Sequence, residues 1–372
     1  MPSSLSHIDV RAAIGELFSY PAFVSGMQSF LPEHLFATIM DRKNSVKNSY
    51  DFQKQLVYPM LKWIENKSIN KLTVSGLEGL DPNKRYLFIS NHRDIVLDSA
   101  FLNMVLYEHD FPTSQIAIGD NLMRHRISEL LFLINKSFVV KREGSPRALY
   151  AHSNKLSEYI HECITTEKDS VWIAQREGRA KDGNDLTQIA VLKMLSLCGR
   201  KQLKQHLLHL NIVPVSIAYE KDPCDLLKTK EYLKKQQDPS YRKTFQEDVQ
   251  YMLLGLQGEK GRLHFHFGTP LDSELDELDN FDNSNKQLEA LANIVDHAIH
   301  RGYKMQSINY LAADLLQGNE AHAAYYDAAT SEKIQDYFAQ QLSEFPAEVR
   351  HLAKAYLLGI YANPVFNQAK AG

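Results

Sequence analysis

Asn91-His92-Arg93-Asp94-Ile95-Val96-Leu97-Asp98-Ser99 is the stretch on which the reading of the whole chain turns. Just before it, residues 86–89 form an apolar run of the kind that makes a buried strand. Just after it begins, Leu97, Phe101, Met104 and Val105 recur at the spacing of one helix face. His92 therefore sits where a strand gives way to a helix, with two carboxylates, Asp94 and Asp98, close behind. A carboxylate beside a histidine fixes its tautomer and stabilises the imidazolium formed when the ring takes a proton, which suits a general base. Strand-to-helix turns also line the mouth of an α/β sheet, where ligands bind. Alone, the pattern fits a helix-capping aspartate beside a surface histidine equally well.

Outward from this stretch the rhythm is strand and helix in alternation. Strands are expected at residues 72–75, 86–90, 115–118, 137–140, 171–174 and 212–218. A last one runs through Leu263, Phe265 and Phe267, which alternate with His264 and His266. Helices are expected at 121–134, after Pro146, and at 186–197. Alternation of this kind predicts an α/β fold: a mostly parallel, mixed sheet covered by helices. Residues 1–68 read as a helical N-terminal subdomain, with Phe52, Leu56, Met60, Leu61 and Ile64 as an apolar stripe. Residues 69–285 read as the α/β domain and 286–372 as a helical C-terminal extension. The charged segment 221–252 reads as helix, and the acidic run 272–282 as a solvated loop. His264 and His266 suggest a metal only if a third ligand joins them, and the sequence offers none at a convincing spacing.

Composition narrows the function classes. Among 372 residues, 44% are hydrophobic and 23% charged, a globular balance. A net charge of -3 gives no reason to expect nucleic acid. Cys163, Cys198 and Cys224 lie far apart, pointing to a reducing compartment and to neither a disulfide framework nor a zinc site. The first residues lack a signal-peptide pattern, and no apolar run nears the roughly 18 residues that span a bilayer. The expectation is a cytoplasmic protein whose membrane contact, if any, is peripheral. The stretch 121–134, with Arg124, His125 and Arg126 beside Met123 and Leu130, is the candidate for that contact, against core packing.

Three further segments accompany His92. Phe138-Val139-Val140-Lys141-Arg142 is a strand delivering two cations at its end. Gln175-Arg176-Glu177-Gly178-Arg179, continuing through Lys181, follows an apolar strand. Val213-Pro214-Val215-Ser216-Ile217 is a strand carrying a proline, which points to an edge, a strand start or an irregular site.

In order and content these blocks resemble the glycerolipid acyltransferase superfamily, the glycerol-3-phosphate and lysophosphatidate acyltransferases. That family shows N-H-x-x-x-x-D, then a strand ending in F-x-x-R, then a strand followed by E-G-x-R-S, then a V-P-V strand. The likeness covers roughly residues 72–271. Two departures stand out. Five residues rather than four separate His92 from Asp98, so that either Asp98 or Asp94 is the histidine's partner. The extra residue would be absorbed in the turn or a π-bulge. The third block reads Glu177-Gly178-Arg179-Ala180-Lys181, so Arg179 takes the family arginine's place, with Arg176 or Lys181 as substitutes.

The resemblance implies acyl transfer from a thioester, acyl-coenzyme A or acyl-carrier protein, to an alcohol on a phosphate-bearing lipid acceptor. His92 would take the hydroxyl proton, with Asp98 or Asp94 orienting it. Lys141, Arg142, Arg176, Arg179 and Lys181 would hold phosphate. Glu177 would orient a hydroxyl or an arginine, and Gly178 would admit close backbone approach. Pro214 belongs to the substrate-binding set by its block. No cofactor is implied beyond the co-substrate. No G-x-S-x-G elbow is present, which argues against a hydrolase working through an acyl-enzyme. The competing readings are a lipid- or anion-binding module on the same fold, the same chemistry on a non-glycerol acceptor, and a metal-dependent phosphoesterase using His92 and Asp94.

Overall fold

The computed structural model describes residues 9–166 and 168–372, so the reading of residues 1–8 lies outside the described residues. Seven strands build one sheet: β1 (Ile69–Ser75), β2 (Leu87–Ser90), β3 (Gln115–Gly119), β4 (Ser137–Val140), β5 (Val171–Ala174), β6 (Ile212–Tyr219) and β7 (Gly261–Phe267). Their order is β1-β7-β6-β2-β5-β3-β4. Strands β6, β2, β5, β3 and β4 run parallel, while β7 is antiparallel to β6 and parallel to β1. The sheet is therefore mixed and mostly parallel.

Both faces are covered, and for this reason the central strands are continuous apolar runs rather than alternating ones. Leu87, Ile89, Val171, Ile173 and Ile212 point into one core, together with Leu156, Ile160, Leu192 and Leu207. Phe88, Trp172, Val213 and Val215 point into the other, with Leu97, Phe101 and Val105. The helix Ser284–Gly302 sends Leu288, Leu291, Val295 and Ile299 into the first core. The stretch just past residue 286 is thus part of the sheet's cover and no appendage. Farther on, Ile308, Ala312, Phe338, Leu357 and Leu358 make a core of their own.

Several local readings are corrected. The stretch 121–134 divides into a 3-10 turn, Asp120–Met123, and a helix, Arg126–Ile134. Leu130 and Ile134 of that helix are buried against Ala13, Ile14 and Leu17, and Arg126 pairs with Glu16, so its apolar face packs on the N-terminal helices. The stretch 221–252 contains two helices, Asp225–Gln237 and Phe245–Gln257, the second opened by a Thr244–Glu247 capping box. The acidic run is the 3-10 segment Ser273–Asn280, pinned by the buried Leu275 and Leu278. His264 and His266 turn to hydroxyls of β1: His264 hydrogen-bonds with Thr73 and Ser75, and His266 with Ser75.

Candidate active site

Parallel strands bring the quoted blocks to one edge. His92 follows β2, Gly119 ends β3, Lys141 and Arg142 follow β4, and Gln175 to Arg179 follow β5, all at carboxyl ends. That edge is where an open α/β sheet takes its ligand.

The turn between β2 and the helix Leu97–Glu108 is held by side chains. Asn91 acts as a spare rung: its Nδ2 donates to the Ile217 carbonyl at 2.9 Å and its Oδ1 accepts the Ile217 N–H at 2.8 Å. The extra residue is taken up in the non-helical turn of residues 93–96, with no π-bulge there. Asp98, wholly buried in the first helical turn, gathers four donors. Its Oδ2 accepts from His92 Nδ1 at 2.8 Å, from the Arg93 N–H at 2.6 Å and from the Asp94 N–H at 3.0 Å. Its Oδ1 accepts the Tyr219 hydroxyl at 3.0 Å. Burial first, then Asp98 and Asp94, push the Tyr219 phenol well above its ordinary value, so it stays a donor.

Asp94 is occupied elsewhere. Its Oδ1 accepts the N–H groups of Val96 and Leu97, both at 2.8 Å, capping the helix start. Burial and the neighbouring Asp98 carboxylate raise its pKa, partly offset by those N–H bonds and by Arg179. Of the two candidate partners, only Asp98 meets the histidine ring. With Nδ1–H given to Asp98, the hydrogen-bond network assigns His92 Nε2 as an acceptor. The ring is 15% exposed and stands edge-to-face against Trp172, with centroids 5.7 Å apart.

His92 lies where two cavities meet. One, about 750 Å³, is polar and rimmed by Arg124, Arg142, Arg176, Arg179, Lys181 and Lys243. The other, about 340 Å³, runs between sheet and helices past Ile116, Ile118, Phe132, Leu149, Val191 and Met194.

The cations differ in their freedom. Arg142 Nε stands 3.4 Å from Glu177, a loose pair. Arg176 and Arg179 have no carboxylate within 4 Å among the described residues, and each keeps a buried guanidinium nitrogen without a partner. Arg179 is buried, its guanidinium 4.2 Å from the centre of the Tyr251 ring. Lys181 is not free: it is bonded to Glu231, which also holds Lys235 at 3.0 Å. Burial raises the Glu231 carboxyl, but these two ammonium groups outweigh it and bring it down to about 2. Lys181 thus lines the polar cavity with its ammonium already paired, unlike Arg176 and Arg179.

Gly178 has φ +69°, and a Cβ there would meet nothing within 4 Å. Its backbone conformation suits glycine, and it lines both cavities. The loop is tied to the histidine by the Ala180 N–H, which donates to the His92 carbonyl at 2.9 Å. Glu177 is exposed and Lys141 lies at the rim of the apolar cavity. Pro214 lines neither cavity. It sits in a central strand opposite Ile89, and its carbonyl accepts from Gly268, just past the end of β7 at Phe267. Since N–H and C=O of a strand residue point the same way, the missing donor falls where β7 has stopped, and so the proline is tolerated.

Comparison with known proteins agrees with this arrangement. A family model described as "Acyltransferase" matches residues 71–218, from within β1 nearly to the end of β6. Residues 71–218, the stretch that carries all four blocks, are thus similar to the acyltransferase family. A curated relative, the glycerol-3-phosphate acyltransferase of Ectopseudomonas mendocina (strain ymp), is 26% identical over 215 residues, 57% of this chain. The chain spans about a quarter of that relative's length, 25%. The crystal structure of the 1-acyl-sn-glycerophosphate (LPA) acyltransferase PlsC from Thermotoga maritima aligns over 76% of this chain and 91% of its own. That alignment has 13% identity and a TM-score of 0.37.

The acyltransferase blocks do not contain every residue at the site. Tyr219 lies two residues past the V-P-V-S-I strand segment and carries no signal except its place at a strand end. Tyr232, Lys235 and Phe245 enter from the two charged helices, Lys243 from the loop between them, and Tyr356 from the C-terminal helix Arg350–Lys370. That last helix is anchored beside the cleft by Asn363, whose amide donates to the Asp182 carbonyl at 2.7 Å.

Proposed function

We propose that this acyltransferase moves a fatty acyl group from a thioester, acyl-coenzyme A or acyl-carrier protein, to a hydroxyl of glycerol 3-phosphate or a lysophospholipid. The observation that carries the reading is the position of His92 at the junction of the cationic and apolar cavities. A thioester has an apolar tail and the acceptor an anionic head, and a base must stand between them.

In this reading the acceptor phosphate is held by Arg176 and Arg179, with Arg142 beside them, because guanidinium forks suit phosphate oxygens. The acyl chain lies in the apolar cavity. His92 Nε2 takes the hydroxyl proton as oxygen attacks the thioester carbonyl, and Asp98 stabilises the imidazolium. The thiol leaves with a proton returned from His92, so the base is regenerated in each cycle and no acyl-enzyme forms. The folded chain has no helix long and apolar enough to cross a membrane among the described residues.

The test is incubation with labelled long-chain acyl-coenzyme A or acyl-carrier protein and a panel of acceptors: glycerol 3-phosphate, lysophosphatidate and neutral lysolipids. Product with the wild type, and none with a folded His92→Ala variant, supports the proposal and names donor and acceptor. Equal product from both proteins removes His92 from the chemistry. No product from either donor on any acceptor replaces the reading with binding alone.

A further inference from the structure

On the edge of the sheet where the strands begin, away from the cleft, three potential metal ligands converge from separate elements. His161 lies on the last full turn of the helix Pro146–Thr165, which leaves the cleft edge and returns toward the start of β5. Cys198 belongs to the 3-10 segment Leu197–Gln202, and His206 to the helix Leu203–His209 that leads into β6. One ligand atom from each lies within 4.8 Å of the other two.

The donors are prepared for a cation. His206 Nε2 hydrogen-bonds with the Leu195 carbonyl at 3.0 Å, which leaves Nδ1 as the acceptor, and both ring nitrogens lie 3.9 Å from Cys198 Sγ. A backbone carbonyl on the far ring nitrogen is the usual support of a ligating histidine. His161 Nδ1 is buried with no hydrogen-bond partner, an arrangement that costs stability until something accepts its lone pair or proton. Ser157 Oγ lies 3.3 Å from Cys198 Sγ and accepts the Cys198 N–H at 3.1 Å, fixing the cysteine from behind. Gly199 lies so close to the His206 ring that a Cβ there would collide with it, so the approach depends on glycine. Glu158 and His209 line the same hollow and can complete the set, as can water.

We propose that His161, Cys198 and His206 form a binding site for one zinc(II) ion at the base of the acyltransferase domain. One thiolate and two imidazoles are a zinc donor set rather than one for magnesium or calcium, which take oxygen. Tetrahedral zinc with bonds of about 2.0 Å to nitrogen and about 2.3 Å to sulfur needs ligands about 3.4–3.7 Å apart. The Cys198-to-His206 separation of 3.9 Å is close to that and the separations to His161 lie within 4.8 Å, so the three ligands draw together on binding. Binding releases the thiol proton to solvent, leaving thiolate on the metal. Because the ligands join the helix ahead of β5 to the helix ahead of β6, the ion would clamp the strands flanking β2, and its role would be structural.

The test uses the full chain, stripped with a chelator, reloaded with zinc(II) and dialysed, with bound metal measured by elemental analysis. Cobalt(II) serves as a spectroscopic probe. One zinc per chain and a cobalt spectrum containing a thiolate charge-transfer band are expected. Cys198→Ser alters an exposed cysteine and leaves the core intact, so it should fold. It should bind zinc weaker by at least the roughly 10–100-fold that loss of a supporting group costs, and should lose that band. Ser157→Ala should weaken zinc within the same roughly 10–100-fold range without abolishing the band. No retained zinc in the wild type overturns the proposal. So does equal zinc in Cys198→Ser, or a cobalt spectrum lacking sulfur character.

Discussion

Asp98 holds the Nδ1 side of His92 at 2.8 Å from a position with no solvent exposure, so the ring's free nitrogen is aimed by a carboxylate that water cannot reach. Asp98→Asn with its carbonyl in the Oδ2 place still accepts from His92, Arg93 and Asp94 but turns an amide donor onto the Tyr219 hydroxyl. In the flipped orientation it sets that donor against His92 and both N–H groups. Acyl transfer should fall by roughly 10²–10⁴-fold, in kcat rather than KM, because the base loses its tautomer and its counter-charge. Asp98→Ala should also destabilise the fold, since it orphans buried donors at about 1–3 kcal/mol each. Steady-state kinetics and denaturant melts on both variants check this. Unchanged kcat in a folded Asp98→Asn protein would remove Asp98 from the mechanism.

Arg176 and Arg179 are the cleft guanidinium groups with no carboxylate within 4 Å among the described residues, and each retains a buried unpartnered nitrogen. If they hold the acceptor phosphate, Arg176→Gln and Arg179→Lys should each lower kcat/KM for a phosphate-bearing acceptor. Loss of a charge-assisted hydrogen bond of about 1.5–3 kcal/mol corresponds to roughly 10–150-fold. A neutral lysolipid, measured alongside, should lose far less. Lys181→Gln should act through Glu231, lowering thermal stability more than acceptor selectivity. An equal loss for charged and neutral acceptors would mean that the two arginines shape the cleft rather than bind phosphate.

The central strands and the His92 turn were legible because buried parallel strands are written as short apolar runs with the site residues directly at their ends, and β7 was legible from the alternation of Leu263, Phe265 and Phe267 with His264 and His266. The choice between Asp94 and Asp98 was not legible. It depends on a turn that turns Asp94 back onto the Val96 and Leu97 N–H groups, and sequence spacing does not encode that rotation. Lys181 looked free because Glu231 lies fifty residues on, in a helix with no strand to place it. The acidic segment read as loop from its charge, yet Leu275 and Leu278, three apart, were enough to bury one face of a 3-10 turn. The cluster of His161, Cys198 and His206 carries no ligand spacing in the chain, because each ligand comes from a different element.

A separate pH dependence follows from Asp225. Burial pushes its carboxyl up to about 6, against hydrogen bonds from the Tyr337 and Tyr361 hydroxyls that pull it down. Its folded value therefore lies above its ordinary value of 3.8. Between these values the folded chain keeps a proton that the unfolded chain has lost, so this contribution is full below about pH 4 and is lost as pH rises through about 6. The difference amounts to roughly 3 kcal/mol. Asp225→Asn retains an acceptor for the tyrosines and cannot ionise. Relative to wild type it should gain stability between pH 4 and 7, measured by denaturant melts, with the gap closing toward pH 4. A gap that does not change with pH would contradict the assignment.

Chain-length selectivity tests the apolar cavity most directly. Leu149 and Ser153 are successive on one face of the helix Pro146–Thr165 and both line that cavity, with Ser153 one turn farther from the cleft edge at Arg142. Ser153 is half-buried, so a phenyl ring there would occupy cavity space without displacing a packed core residue. Each methylene moved from water to an apolar site contributes about 0.8 kcal/mol, close to fourfold in kcat/KM. Ser153→Phe should therefore lower kcat/KM for the longest acyl donors by about that factor for each methylene excluded, and leave short donors nearly unaffected. The measurement is a series of acyl-coenzyme A or acyl-carrier-protein donors differing by two carbons, run on wild type and variant with one acceptor. A uniform drop across the series would show that the ring perturbs the helix rather than the tunnel. An unchanged profile would move the acyl chain out of this cavity and leave it for a different part of the acceptor.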